Sequence, residues 1–239
     1  MESISEVHLA EGCRHFVVAP EHQADITVDW FYPAWWGNNA QPVAAGGRGG
    51  AWFIGSPLGD AVLRQYRRGG LVARLSESSY FFTGYNHSRS FAEFRLLQML
   101  HAKGLPVPEP LAAMVQRQGA FRYKAWIILR RLTDAKPLPE VDNVAESSLW
   151  FKVGQVIRRF HDVGLNHVDL NCDNILVSGS GIYLIDFDRC QLRENDSPDA
   201  GWKAANLSRL QRSVAKRCQT LSSAARECVW QALMEGYGG

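Results

Sequence analysis

The stretch FHDVGLNHVDLNCDNILVSGSGIYLIDFDRC, residues 160–190, decides how the rest of the chain reads. Within it His167-Val168-Asp169 is followed by Asn174 five residues on, and then by Asp186-Phe187-Asp188 at the end of a short apolar run. Apolar pieces at 175–177 and 182–185 flank Ser178-Gly179-Ser180-Gly181, a turn with ample positive-φ capacity, and predict a β-hairpin. Such a hairpin carries Asn174 and Asp186 to the same end of two adjacent strands. Two oxygen ligands there make a compact site for a divalent cation such as Mg²⁺, which uses few protein carboxylates and completes its shell with phosphate and water. Asp169, in the loop leading into the first strand, is then placed to face a hydroxyl. One carboxylate to orient and deprotonate a hydroxyl, with two ligands for a metal that bridges phosphates, is what phosphoryl transfer from a nucleoside triphosphate requires. Singly these residues say little, because an Asp or Asn beside a turn is commonly a cap and a lone His commonly a packed imidazole. Their fixed spacing carries the reading.

Working outward, a helix is predicted over 145–163, with Leu149, Val153, Val156, Ile157 and Phe160 at three- and four-residue steps and Gly164 as its C′ residue. Far upstream, Gly46-Gly47-Arg48-Gly49-Gly50 precedes the apolar piece 51–54. Glycines build flexible turns, or form a lid between two strands whose bare N–H groups approach phosphates. No Gly-Lys-Ser/Thr ending follows, which excludes a Walker A loop. On the lid reading Gly47, Arg48, Gly49 and Gly50 contact ATP. A strand over 61–66 then sets the cation Arg64 where a phosphate-pairing group follows a glycine loop. About 30 residues on, a helix over 88–103 places Phe91, Phe94, Leu97 and Leu100 on one side and ends at Gly104 before two prolines. Glu93 in its first turns either pairs with Arg64 or complements the helix dipole.

The runs 111–116 and 125–132 read as an antiparallel pair about residues 117–119, the second so continuously apolar that it suits a buried central strand. The proline-bearing segment up to about Glu140 marks the boundary between lobes, and beyond Pro198 the pattern is helical, with helices over 204–217 and 222–234. The expected architecture is therefore α+β and bilobal. Residues 1–134 form an antiparallel-sheet N-terminal lobe with the glycine loop and one helix, and residues 135–239 a mainly helical C-terminal lobe with the catalytic loop and metal site. The aromatic run Trp30-Phe31-Tyr32-Pro33-Ala34-Trp35-Trp36 is either a hydrophobic plug on the first lobe or a substrate-facing surface.

Composition sets the class. Of 239 residues, 46% are hydrophobic and 21% charged, which suits a folded globular chain, and a net charge of +2 offers no bulk attraction for nucleic acid. Five cysteines without a C-x-x-C pair read as reduced thiols rather than a zinc site. The start shows no signal peptide, and no apolar run approaches the roughly 18 residues needed to cross a bilayer. A soluble protein, able to sit on a membrane surface, is expected.

The motif set resembles the protein-kinase-like superfamily, with His167-Val168-Asp169 similar to its catalytic triplet and Asp186-Phe187-Asp188 to its metal-binding DFG segment. The resemblance implies Asp169 as base, Asn174 and Asp186 as Mg²⁺ ligands, and Arg64 with Glu93 in place of the lysine–glutamate pair that positions ATP. Arg for Lys changes the geometry of the donor fork, and Asp188 stands in place of the DFG glycine. More narrowly, VLRQYRRGGLVARL (62–75), YFFTGYNHSRSFAEFRLL (80–97), HVDLNCDNILV (167–177) and YLIDFDRC (183–190) resemble the lipopolysaccharide core sugar kinases, in particular those of 3-deoxy-D-manno-octulosonic acid (Kdo). That resemblance implies transfer of the ATP γ-phosphoryl group to the 4-hydroxyl of Kdo on a lipid A precursor. It also implies peripheral association with the cytoplasmic face of the bacterial inner membrane. No obligate protein partner is evident in the sequence.

Two features agree with a non-peptide, lipid-linked acceptor. Only about ten residues separate Asp188 from Pro198, with no Ala-Pro-Glu segment to form a peptide platform. Arg67, Arg68 and Arg74 interleave with apolar residues, as suits anionic lipid headgroups, although an ordinary exposed basic loop reads the same. The rival readings are a kinase for another sugar, such as a core heptose or an aminoglycoside-like acceptor, and a non-catalytic nucleotide-binding relative.

Overall fold

A computed structural model of the chain describes residues 4–8, 14–18, 25–43, 50–67, 79–193 and 201–238. It divides into two compact units, Met1–Gln98 with Glu109–Arg131, and Met99–Pro108 with Leu132–Gly239.

The first unit is built on one antiparallel sheet. In chain order its strands are β1 (Ile4–His8), β2 (Arg14–Val18), β3 (Ala40–Pro42), β4 (Ala51–Ser56), β5 (Gly59–Gln65), β6 (Tyr80–Phe81), β7 (Pro110–Gln118) and β8 (Arg122–Arg130). Their order is β1-β2-β7-β8-β5-β4-β3, with β6 also pairing β8. The apolar run 125–128 occupies β8 and is buried along its whole length, the central strand that its composition predicts. The glycine stretch falls in chain order between β3 and β4, which pair antiparallel with Pro42 opposite Trp52.

A 3₁₀ turn (Val28–Phe31) and the short helix α1 (Pro33–Trp36) carry the aromatic run. Trp30, Phe31 and Trp36 are buried in one core with Ile54, Leu63, Met114, Trp126 and Ile128. Burying side chains of this size contributes about 1.5–3 kcal/mol each. The Trp36 indole N–H donates to the Trp30 carbonyl at 2.9 Å, so the polar handle of that ring is satisfied within the core. The run is a plug, and of its tryptophans only Trp35, 51% exposed, faces outward. Helix α2 (Arg89–Ala102) buries the predicted stripe Phe91, Phe94, Leu97 and Leu100 completely.

The second unit contains β9 (Lys136–Pro137), α3 (Ser147–Asp162), β10 (Leu165–Asn166), β11 (Ile175–Ser178), β12 (Gly181–Leu184), β13 (Gln191–Leu192), α4 (Gly201–Arg217) and α5 (Ser223–Gly238). The predicted hairpin is β11–β12. The third strand beside it, β9, is not foreseeable, because two residues in a proline-bearing segment show no alternation. Helices α3 and α5 approach through glycines: a Cβ on Gly154 would stand 2.0 Å from the Leu233 carbonyl oxygen, and one on Gly236 2.0 Å from that of Phe151. Gly164 takes φ 83° just past α3, the left-handed C′ position its sequence context calls for. Among the described residues, no helix is long and apolar enough to cross a membrane.

Candidate active site

The hairpin sets the site. Its register pairs Ile175 with Leu184 and Ser178 with Gly181, and the Ile185 N–H donates to the Asn174 carbonyl at 3.0 Å, carrying the ladder one step further. Asn174 and Asp186 therefore emerge at the same end of two bonded strands. Asp186 itself has φ 62°, in the left-handed region where an L-residue costs on the order of 1–3 kcal/mol. Strain of this kind persists where neighbours over-determine the backbone, and here the next residue does so. Phe187 is fully buried, with ring centroids 6.2 Å from Phe160 and 5.2 Å from His167.

His167 is a strut. Its ring Nε2 donates to the Ile185 carbonyl at 3.0 Å, and its backbone N–H donates to Asn206 Oδ1 at 3.0 Å. Burial lowers its pKa from the ordinary imidazole value, so it stays neutral at pH 7 and holds the strand preceding Asp186 against the loop that carries Asp169. Asn206, on α4, is buried and also donates to Asn166 Oδ1 at 3.0 Å.

The loop between β10 and β11 is tied by amides. The Asn171 side-chain oxygen accepts from the N–H groups of Asp173 (2.9 Å) and Asn174 (3.2 Å), capping the 3₁₀ turn Cys172–Asn174. The side-chain nitrogens of Asn171 and Asn174 each donate to the Asp169 carbonyl at 2.9 Å. With its nitrogen so committed, Asn174 is left its Oδ1 to offer a cation. Together with the Asp186 carboxylate this is a hard-oxygen pair, which fits Mg²⁺. Among the described residues no group of three or more His, Cys, Asp or Glu forms a metal cage. The Asp169 carboxylate accepts from Arg209 Nη1 of α4 at 3.0 Å and its side chain is 53% exposed. Asp173 is held by Arg217 Nε at 2.9 Å, and Arg217 also reaches Glu140 at 3.8 Å.

The first unit contributes a second charged cluster. Arg64 Nη2 lies 2.6 Å from both carboxylate oxygens of Glu93, so Glu93 does pair with the strand arginine. Tyr66 Oη donates to the same carboxylate, and the Arg64 guanidinium sits 5.0 Å from the Tyr66 ring centroid. Burial, and then the Glu93 charge, push the Tyr66 hydroxyl well above its ordinary pKa, which keeps it a donor. Gly50 accepts from the Gln65 N–H at 2.7 Å. Gly47, Arg48 and Gly49, like Arg68 and Arg74, lie outside the described residues, while Arg67 is described and exposed.

The structure thus brings together Asp169, Asn174 and Asp186 in one unit, and Arg64 with Glu93 in the other. Tyr66, Asn171, Asn206 and Arg209 were not singled out from the sequence. Asn171 had a local signal, an Asn two and three residues ahead of the amides it caps. The others depend on tertiary placement.

Residues 33–237 match the family described as Lipopolysaccharide kinase (Kdo/WaaP) family. The chain belongs to this family. It is 43% identical over 217 residues to the 3-deoxy-D-manno-octulosonic acid kinase of Stenotrophomonas maltophilia (strain R551-3), covering 90% of this chain and 86% of that protein. It is 48% identical over 196 residues to that of Xanthomonas axonopodis pv. citri (strain 306), covering 81% and 76%. Among solved structures, aminoglycoside-3'-phosphotransferase of type VIII aligns with a TM-score of 0.55 at 14% identity, covering 84% of this chain and 88% of that one. WaaP in complex with acyl carrier protein aligns with a TM-score of 0.51 at 16% identity, covering 82% and 80%. At such identities these structures speak to fold alone, and the fold is the bilobal α+β protein-kinase-like one that the sequence implied.

Proposed function

We propose that this chain is an ATP-dependent kinase that transfers the γ-phosphoryl group to the 4-hydroxyl of Kdo on a Kdo-lipid A precursor, within lipopolysaccharide core biosynthesis. The observation that carries the reading is an intact Asp169, Asn174 and Asp186 set, at one hairpin mouth, in a chain 43–48% identical to named Kdo kinases over most of its length. Asp169 orients the sugar hydroxyl and takes its proton as the O–P bond forms. A loose transition state asks for placement more than for strong basicity, which suits a carboxylate. Asn174 and Asp186 are the residues that would hold Mg²⁺, which neutralises developing phosphate charge when bound. Arg64, fixed by Glu93 and Tyr66, supplies the phosphate-side cation, and Gly47, Arg48, Gly49 and Gly50 cover the nucleotide.

The protein further works at the cytoplasmic face of the inner membrane, where its lipid-linked acceptor resides. Supporting this, Phe81 and Phe121 are 70% and 74% exposed at neighbouring positions of β6 and the β7–β8 turn, beside exposed Arg122. Aromatic rings next to a cation suit a lipid interface, and in the sequence Arg67, Arg68 and Arg74 are further cations interleaved with apolar residues. Replacing both phenylalanines by serine should reduce co-sedimentation with anionic vesicles; unchanged sedimentation would remove this surface.

Incubation with γ-labelled ATP, Mg²⁺ and a panel of acceptors tests the activity. Label should enter the Kdo-lipid A precursor. Label confined to a heptosylated or soluble acceptor would overturn the assigned substrate, and no transfer to any acceptor would overturn the kinase itself.

A further inference from the structure

We propose that Arg209 is a specificity-determining residue that binds the carboxylate of the acceptor sugar while Asp169 takes its hydroxyl. This rests on the acceptor being an octulosonic acid, as proposed above. Helix α4 carries Lys203, Arg209, Arg212, Lys216 and Arg217 and no acidic residue along its 17 positions. Two of these cations turn back onto the catalytic loop, and they do so differently. Arg217 is shared between two carboxylates, Asp173 and Glu140. Arg209 meets one carboxylate oxygen of Asp169 through Nη1, and its remaining donors have no partner among the described residues. Its side chain is 49% exposed, so those donors are open to a ligand.

The acceptor supplies the missing half. In a 3-deoxy-2-ulosonic acid a single ring methylene separates the carbon bearing the carboxylate from the carbon bearing the 4-hydroxyl. Presenting that hydroxyl to Asp169 therefore brings a second carboxylate within a few ångströms of the first. Two like charges so close repel unless a cation stands between them. Arg209 already stands at Asp169, and the planar fork of a guanidinium can give one N–H to the base and two parallel N–H bonds to a second carboxylate. The residue would read the carboxylate, a charged group that a neutral hexose or heptose lacks.

The test compares kcat and KM on the Kdo-lipid A precursor and on the same acceptor with its sugar carboxylate esterified, for wild type, Arg209→Gln and Arg209→Lys. The wild type should favour the free acid by about 10²-fold in kcat/KM, the scale expected when a site's charged group is left unmatched. Arg209→Gln should lose about that factor on the free acid, through acceptor KM with ATP KM unchanged, and nothing more on the ester, while Arg209→Lys should recover part. An equal loss on both acceptors, or a loss in kcat alone, would mean that Arg209 only positions Asp169 and would overturn the proposal. A wild-type enzyme inactive on both forms but active on another sugar would overturn the acceptor reading first and this inference with it. A wild type indifferent to esterification would overturn this inference alone.

Discussion

Glu93 and Asp169 are both carboxylates met by an arginine, at 2.6 and 3.0 Å, yet Glu93 is 3% exposed and the Asp169 side chain 53%. In the first unit the carboxylate serves the cation. Glu93 accepts from Arg64 and Tyr66 within a largely buried network whose members are fixed by strand and helix. In the second unit the cation attends the carboxylate, and solvent reaches both. A buried pair is costly to leave half-made and so resists change, whereas an exposed pair is worth little to stability and exchanges partners easily. The first arrangement suits a fixed phosphate-side charge, the second a base that must meet a new ligand at every turnover.

That contrast can be broken by experiment. Asp169→Ala should lower kcat for phosphoryl transfer by about 10³-fold or more, with the thermal midpoint unchanged, as measured by product formation beside a melting curve. Retained turnover would remove Asp169 as base. Glu93→Ala should show the reverse emphasis, losing about 3–5 kcal/mol in denaturant unfolding because Arg64 and Tyr66 are left facing a void. Asp169→Asn on the same assay should lose about 1 kcal/mol or less. If the two cost the same, exposure does not separate the networks.

Burial, rather than membership of one unit, ought to be what decides, and His161 tests this within the second unit. Its Nδ1 lies 2.8 Å from Tyr237 Oη, and burial lowers its pKa from 6.5 to about 4. Because the unfolded chain takes up the proton first, stability should be lost as pH falls from 6.5 to about 4, by about 3 kcal/mol in all, and level off below. His161→Phe should flatten that segment of the pH–stability curve. At the small end, Gly154→Ala drives a methyl into the Leu233 carbonyl and should cost about 1–3 kcal/mol in unfolding without altering acceptor KM. A change in acceptor KM would show that the α3–α5 contact shapes the site.

Much of this was legible because the chemistry is local. Asp169, Asn174 and Asp186 lie within 18 positions joined by a turn that only a hairpin explains, and the helix faces follow apolar periodicity. The Arg64–Glu93 pair was one of two open readings, since a separation of 29 positions hides which way the glutamate turns. Arg209 was invisible for the same reason, 40 positions beyond Asp169 on a helix whose polar face looks uniformly solvated. The plug at Trp30–Trp36 needed the sheet to exist before its orientation could be decided. Hydrophobic pattern fixes which face is inward, but the partner of a polar group follows only from the assembled fold.

Asn171 has one more consequence. By holding the amides of Asp173 and Asn174 and bonding the Asp169 carbonyl, it removes the freedom of the catalytic loop before any ligand arrives. The entropy of ordering that segment is then settled at folding, so on the proposed mechanism an incoming sugar would lose only its own motion when its hydroxyl meets Asp169.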